Sequence, residues 1–410
     1  MIDDTDTDAV KKIENDAFDG SGNRGLSAAV GCNGLQNFDA YIAGYKEAFN
    51  ILIDHVVSQY KTKGFVNTDY IIFPLCYNAR HVFELYLKNI ITKIDSINQI
   101  REVENGANKL LSHNVDMLFN TFQEKSIFDH RYAPYVEKLA PMIKWVAEID
   151  PDGQTFRYPA DSQGSMTLSK ISLINIQKFT EQVDAVIFLL EDISYLSDDL
   201  LKEYKTKTFT TKLSRFDIEE IAQKLPPQKT WGVESKFGDI KEECKEKFYL
   251  SNNDFSKAVD IIKTHYTFSE LIGTELSLKY LKIEHFRTLF ECIGKLDSNE
   301  DKKGDISVQS IDDGIDDIEK MLEYGLAVEK CISQCVTSMS HNQLSDIKAI
   351  FEIGREDLYA EEYDVLVERY KNNPDTSYLH NLFGKKYARQ YMIKGLTTLG
   401  QKSIIADIES

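Results

Sequence analysis

A chain of 410 residues exceeds the roughly 250–300 over which one hydrophobic core keeps growing, so two or three packed units are expected. With 42% hydrophobic residues, 22 Phe and 21 Tyr, it carries enough apolar surface for a large aromatic core, which excludes a disordered chain. The net charge of −18 repels a polyanion at long range and excludes sequence-independent coating of DNA, so any nucleic-acid contact must come from a local basic cluster.

Residues 1–36 are acidic and then Gly-rich, hold no lasting helical stripe and read as a flexible arm. Gly20, Gly22 and Gly25 spell GxGxxG, but the polar KKIENDAFD before them is no buried strand, so a dinucleotide site is not expected. From Phe38, the residues Tyr41, Tyr45, Phe49, Ile53 and Val56 fall at helical spacing on one long amphipathic helix. The next segment, DYIIFPLCYNARHVFELYLKNIITKI, carries Pro74 near its start and apolar positions around a second long helix that packs against the first. LLSHNVDMLFNTF and PYVEKLAPMIKWVAEI predict two more helices. DPDGQTFRYPADSQG, dense in Asp, Gly and Pro, predicts a structured loop, and LSKISLINIQKFTEQVDAVIFLLEDISYL a further long helix.

A domain boundary is expected near residue 205. Beyond it, LSRFDIEEIAQKLPPQKTWG predicts a capped short helix stopped by Pro226 and Pro227. That segment could open a helix-turn-helix, but the following DIKEECKEKFYL mixes both charge signs and is no basic reading face. Helices are expected at about 240–250, 254–272 and 275–295, and then in IEKMLEYGLAVEKCISQCV, LSDIKAIF, EEYDVLVERY and KKYARQYMIKGLTTLGQ. The expected fold is all-α, a helical bundle followed by a second helical domain. Its segments are the arm over 1–36, the bundle over 37–204, a helical region over 205–296, a charged linker or loop over 297–317 and a C-terminal helical region over 318–410.

The six cysteines, Cys32, Cys76, Cys244, Cys292, Cys331 and Cys335, form no CxxC pair and read as reduced thiols. Cys331 and Cys335, with His341 downstream, are better explained as small buried groups at a helix interface than as metal ligands, and no metal or cofactor is expected. The N-terminal MIDDTDTDAV lacks the basic and apolar regions of a signal peptide. The most hydrophobic run, Ala185 to Leu190, is far short of a membrane span, so a cytoplasmic protein without membrane contact is expected.

One constellation in the first bundle holds candidate chemistry. Arg80, Glu84 and Lys88 recur every four residues along one helix beside His81, His113 and Asp116 open another, and Phe156, Arg157 and Tyr158 lie in the loop. Ordinary ion pairs along a helix face explain the first three. The alternative is a polar groove in which His113 is general acid or base, Arg80 and Arg157 hold a phosphate or carboxylate and Glu84 orients Arg80. Lys88 and Tyr158 then join Arg157 in substrate binding.

The succession ARHVFELYLK, LSHNVDMLF and DGQTFRYP over residues 38–200 resembles uncharacterised bacterial proteins related to the HEPN helical bundles. The resemblance implies a bundle of four or five helices, often dimeric. It also implies an RNA- or nucleotide-directed role in anti-phage defence or a toxin system, including metal-independent ribonuclease activity, and a partner protein of such a system. HEPN nucleases carry a His about five positions after an Arg on one helix, whereas Leu85 stands five positions after Arg80. A ribonuclease and a catalytically silent interaction or adaptor module therefore both stay open, with a homodimer expected in either case.

Overall fold

The computed structural model describes residues 24–34, 36–104, 110–160, 163–169, 171–232, 236–300, 311–373, 375–384 and 387–410, without the side chains of 24, 32, 297–300 and 311–321. Among these residues the protein is all-α, with sixteen α-helices, no strand and one isolated antiparallel bridge between Ala160 and Met166. No described helix is long and apolar enough to cross a membrane. The chain divides into two compact units, Met1–Asp199 and Leu200–Ser410, a little before the boundary expected near 205. Most of the arm expected over 1–36 lies outside the described residues; within it, Arg24–Leu26 and Gly31–Asn33 form single 3₁₀ turns.

The first unit contains α1 (Phe38–Lys63), α2 (Ile72–Ile100), α3 (Val115–Ser126), α4 (Ala133–Ile149) and most of α5 (Ile176–Lys205). Asn37 caps α1 through its side chain, and Gly64, in the left-handed conformation, ends it. The buried stripe of α1 is Ile42, Phe49 and Val56, whereas Tyr41, expected within it, is 53% exposed. α2 is the central helix and buries residues on nearly every face, among them Leu75, Val82, Phe83, Leu87, Ile90 and Ile94. Its polar side chains reach its neighbours. Asn89 donates to Asp39 on α1 at 2.9 Å, and Lys93 donates to Ser194 and Asp198 on α5 at 2.9 and 2.7 Å. Such bonds satisfy groups that the apolar packing would otherwise leave dry.

The second unit holds α6 (Arg215–Lys224), α7 (Lys236–Phe248), α8 (Asn252–Thr264), α9 (Tyr266–Leu271), α10 (Ile283–Glu300), α11 (Ile311–Ser338), α12 (His341–Glu356), α13 (Glu362–Asn372), α14 (Tyr378–Phe383), α15 (Ala388–Thr398) and α16 (Lys402–Glu409). Ser214 with Asp217, Ser251 with Asp254 and Ser340 with Gln343 form capping boxes that start α6, α8 and α12. α6 to α9 share one apolar cluster, and α10 to α16 another.

Three expectations change here. The single helix expected over 254–272 is two, because His265 adopts an extended backbone, accepts from Phe268 N at 3.3 Å and so caps α9. The helix expected from 275 begins only at Ile283. The residues before it give their main-chain N–H groups to side chains instead, Lys279 to the Tyr363 hydroxyl at 3.0 Å and Tyr280 to Asp346 at 2.9 Å. The charged stretch expected as a linker or loop over 297–317 is helical at both ends, since α10 runs to Glu300 and α11 starts at Ile311; residues 301–310 lie outside the described residues. Cys292 and Leu296 before the stretch and Val328 and Cys331 after it join one core, so the charges mark no domain break.

Asp346 supports a prediction. It is fully buried and accepts from the Tyr363 hydroxyl and from Tyr280 N. Burial pushes its carboxyl from the ordinary 3.8 up to about 6, overcoming the hydrogen bonds from Tyr363, Tyr280 and Leu281 that pull it down. The folded state therefore binds the proton more tightly than the unfolded state, and this contribution to stability falls as pH rises from about 4 to about 6. Denaturant unfolding across that window is expected to show wild type losing roughly 2–3 kcal/mol relative to Asp346→Asn, which cannot titrate. A pH-independent difference between the two would rule this out.

Candidate functional site

The polar face of α2 is built around Arg80, which is 3% exposed. Its Nε donates to the main-chain oxygen of Asp150 at 3.0 Å, Nη1 to Glu84 at 3.1 Å, and Nη2 to the main-chain oxygens of Pro151 at 3.0 Å and of His113. One guanidinium thus ties the helix to the turn before α3 and to the loop after α4. The same Pro151 oxygen accepts from Val115 N at 2.8 Å, which closes the two loops on each other. Gly153, buried and left-handed at φ +77°, turns the chain beside Arg80.

Glu84, one helical turn on, is 4% exposed and collects three partners. Arg80 binds one carboxylate oxygen, while Lys88 Nζ and His113 Nδ1 each lie 2.8 Å from the other. Burial alone would raise this carboxyl, but the hydrogen bonds from Lys88 and His113 and the charges of Lys88 and Arg80 outweigh it and hold the group below its ordinary value. Glu84 is therefore the acceptor and His113 Nδ1 the donor, which leaves Nε2 with the lone pair in the neutral ring. The His113 side chain is 67% exposed, so the solvent-facing part of this buried network is an imidazole fixed in one tautomer.

An aromatic row continues along the face. His81 stacks on Tyr77 with ring centres 5.6 Å apart and meets Tyr45 of α1 edge-on at 4.4 Å. Burial is the main reason that its pKa falls below the ordinary value, so the His81 ring is neutral near pH 7. Arg157 lies over Tyr77 at 5.4 Å and over Tyr158 at 5.3 Å, and donates to the Tyr158 hydroxyl at 3.3 Å. Both Arg157 and Tyr158 are exposed.

The structure brings Arg80, Glu84, Lys88 and His113 into direct contact, and Arg157 and Tyr158 reach the same helix face through Tyr77. Arg80 is spent on main-chain carbonyls and Glu84, so Arg157 is the cation of the set that faces solvent. Tyr77 was missed by sequence reasoning, although it stands one turn before Arg80 at helical spacing. Asp150 and Pro151 contribute through their main chains, which no side-chain pattern announces. In the second unit, Cys331 and Cys335 are buried beside Cys292, and His341 bonds the Lys371 main-chain oxygen at 3.1 Å. No group of three or more described His, Cys, Asp or Glu side chains has an arrangement able to hold a metal ion. Comparisons with protein-family models, with curated proteins and with solved structures found no match for this chain.

Proposed function

We propose that the α2 face is an RNA- or nucleotide-directed site of a HEPN-like bundle, cleaving phosphodiester bonds by acid–base chemistry with His113. The observation that carries this reading is the 2.8 Å contact between buried Glu84 and exposed His113, which orients a general base outward. In RNA the adjacent nucleophile is the 2′-hydroxyl. His113 Nε2 takes its proton, the oxygen attacks the neighbouring phosphorus, and the 5′-oxygen leaves and acquires a proton as a cyclic phosphate forms. Arg157 supplies charge to the phosphate, the exposed Tyr158 ring offers a stacking surface for a base, and Lys88 holds Glu84 ionised. Arg80 serves here as a positioning residue, because its donors are committed to the scaffold.

The test is incubation of the protein with total RNA and tRNA in EDTA and in magnesium, beside His113→Ala and Glu84→Gln. Arg80 bonds the main-chain oxygen of His113, so His113→Ala leaves that clamp in place. Cleavage in EDTA is expected to fall about 100-fold or more in His113→Ala and less in Glu84→Gln. Cleavage unchanged in His113→Ala rules the assignment out. One observation favours the silent interaction module instead: Tyr41, Ile51 and Tyr60 on α1, and Phe65 and Tyr70 after it, are each more than half exposed. An intact protein that cleaves nothing but runs as a dimer in light scattering supports that second reading.

A further inference from the structure

A cavity of about 290 Å³ opens between α2, α4 and the start of α5. Its walls include Phe83, Trp145, Phe156 and Phe179. A dry cavity of about 150 Å³ already admits benzene, and small-molecule sites start at roughly 300 Å³, so the space suits a substituted ring or a short branched chain. Exposed Asn175, just before α5, and Lys178 and Gln182 on it lie at its edge, which gives it an entrance.

Asp150 makes this space more than a packing gap. It lines the cavity and is 2% exposed. Its Oδ1 accepts from Thr155 N at 3.0 Å, but its buried Oδ2 has no hydrogen-bond partner among the described residues. Arg80 lines the same wall and satisfies the main-chain oxygen of Asp150, not this carboxylate oxygen. A buried carboxylate oxygen without a donor is unfavourable, and a ligand that brings a donor relieves it. We propose that this cavity binds a small aryl or alkyl compound whose polar head donates a hydrogen bond, a hydroxyl or an amine, to Asp150 Oδ2. A carboxylate head is excluded, because it would set two acceptors against each other. The site is separate from the exposed His113 imidazole and does not depend on any reaction there.

The protein has two tryptophans, so Trp231→Phe leaves the emission of Trp145, on the cavity wall, as the reporter. The probes are 2-phenylethanol, which donates, and 3-phenylpropionate, which does not. Saturable change with the alcohol and binding at least about tenfold weaker with the propionate are expected. In Asp150→Asn the side-chain oxygen still serves Thr155 N and an NH₂ replaces Oδ2, so 2-phenylethylammonium, whose head only donates, should bind at least about tenfold more weakly to the variant than to the parent while the thermal melt stays cooperative; the alcohol, whose oxygen can accept from that NH₂, should change less. Propionate binding as tightly as the alcohol, unchanged ammonium binding in a folded Asp150→Asn, or no saturable response up to the solubility of the alcohol each overturns the proposal. Should the variant not fold, the two probes on the Trp231→Phe protein decide alone.

Discussion

Replacing Arg80 by alanine is expected to destabilise the first unit by about 3–5 kcal/mol, the range for removing one partner of a buried ion pair. The loss has two parts. Glu84 stays buried without its guanidinium, held by Lys88 and His113 alone, and the main-chain oxygens of His113, Asp150 and Pro151 lose a shared donor. Lysine at this position should recover little, since one ammonium cannot span acceptors on three segments in the plane that the guanidinium matches. Urea unfolding followed by Trp145 emission in the Trp231→Phe background measures the effect on the first unit. A loss below about 1 kcal/mol would mean that water replaces the clamp and that the loops are held by other contacts. The result also governs how activity data are read. A variant at Arg80 that loses function has lost scaffold, whereas His113→Ala removes only the imidazole.

Gly354→Ala is expected to lower the stability of the second unit, by about 1–3 kcal/mol if overpacking sets the scale. At an exposed helix position the same change would add up to about 1 kcal/mol, so the sign is diagnostic. A Cβ on Gly354 would stand 1.9 Å from Tyr391 O and 2.7 Å from Gly395 N, while one on Gly395 would stand 2.1 Å from Ile350 O. α12 and α15 therefore touch backbone to backbone, and no flexible side chain can yield. Gly325→Ala on α11, where nothing lies within 4 Å, is the matched control and should be neutral or stabilising. Denaturant curves of the two variants check this, and a gain in Gly354→Ala would mean that the two helices can separate without cost.

The helices of the first unit were legible because their apolar stripes are long; the caps Asn37 and Asn114, which the sequence reading did not use, stand where those stripes start. The column of Arg80, Glu84 and Lys88 could be placed from spacing alone. Its connection to His113 could not, because the contact depends on how two loops fold back on α2. Spacing also favoured surface ion pairs for this column, whereas burial converts Arg80 into a link between main chains. The break at His265 was hidden because apolar residues continue across it, from Ile262 to Phe268; the extended backbone of His265 and its capping bond to Phe268 N separate the two helices. The coil before Ile283 was hidden for a related reason, since its N–H acceptors are Asp346 and Tyr363, distant in sequence. The close helix contact at Gly354 left one mark, a glycine inside a helical pattern, which Gly325 leaves equally without any such contact.

The order in which a ribosome delivers the acceptors of Arg80 gives this clamp a role in time. Glu84 emerges soon after Arg80, His113 later, and Asp150 and Pro151 only when α4 is complete. Until then the guanidinium lacks two of its four acceptors, and the turn that carries His113 has only Arg80 and Glu84 to hold it against α2. A nascent chain passing through this stage holds the individual groups but not their arrangement. If the α2 face carries the activity proposed above, a growing polypeptide gains it only when its first unit has closed.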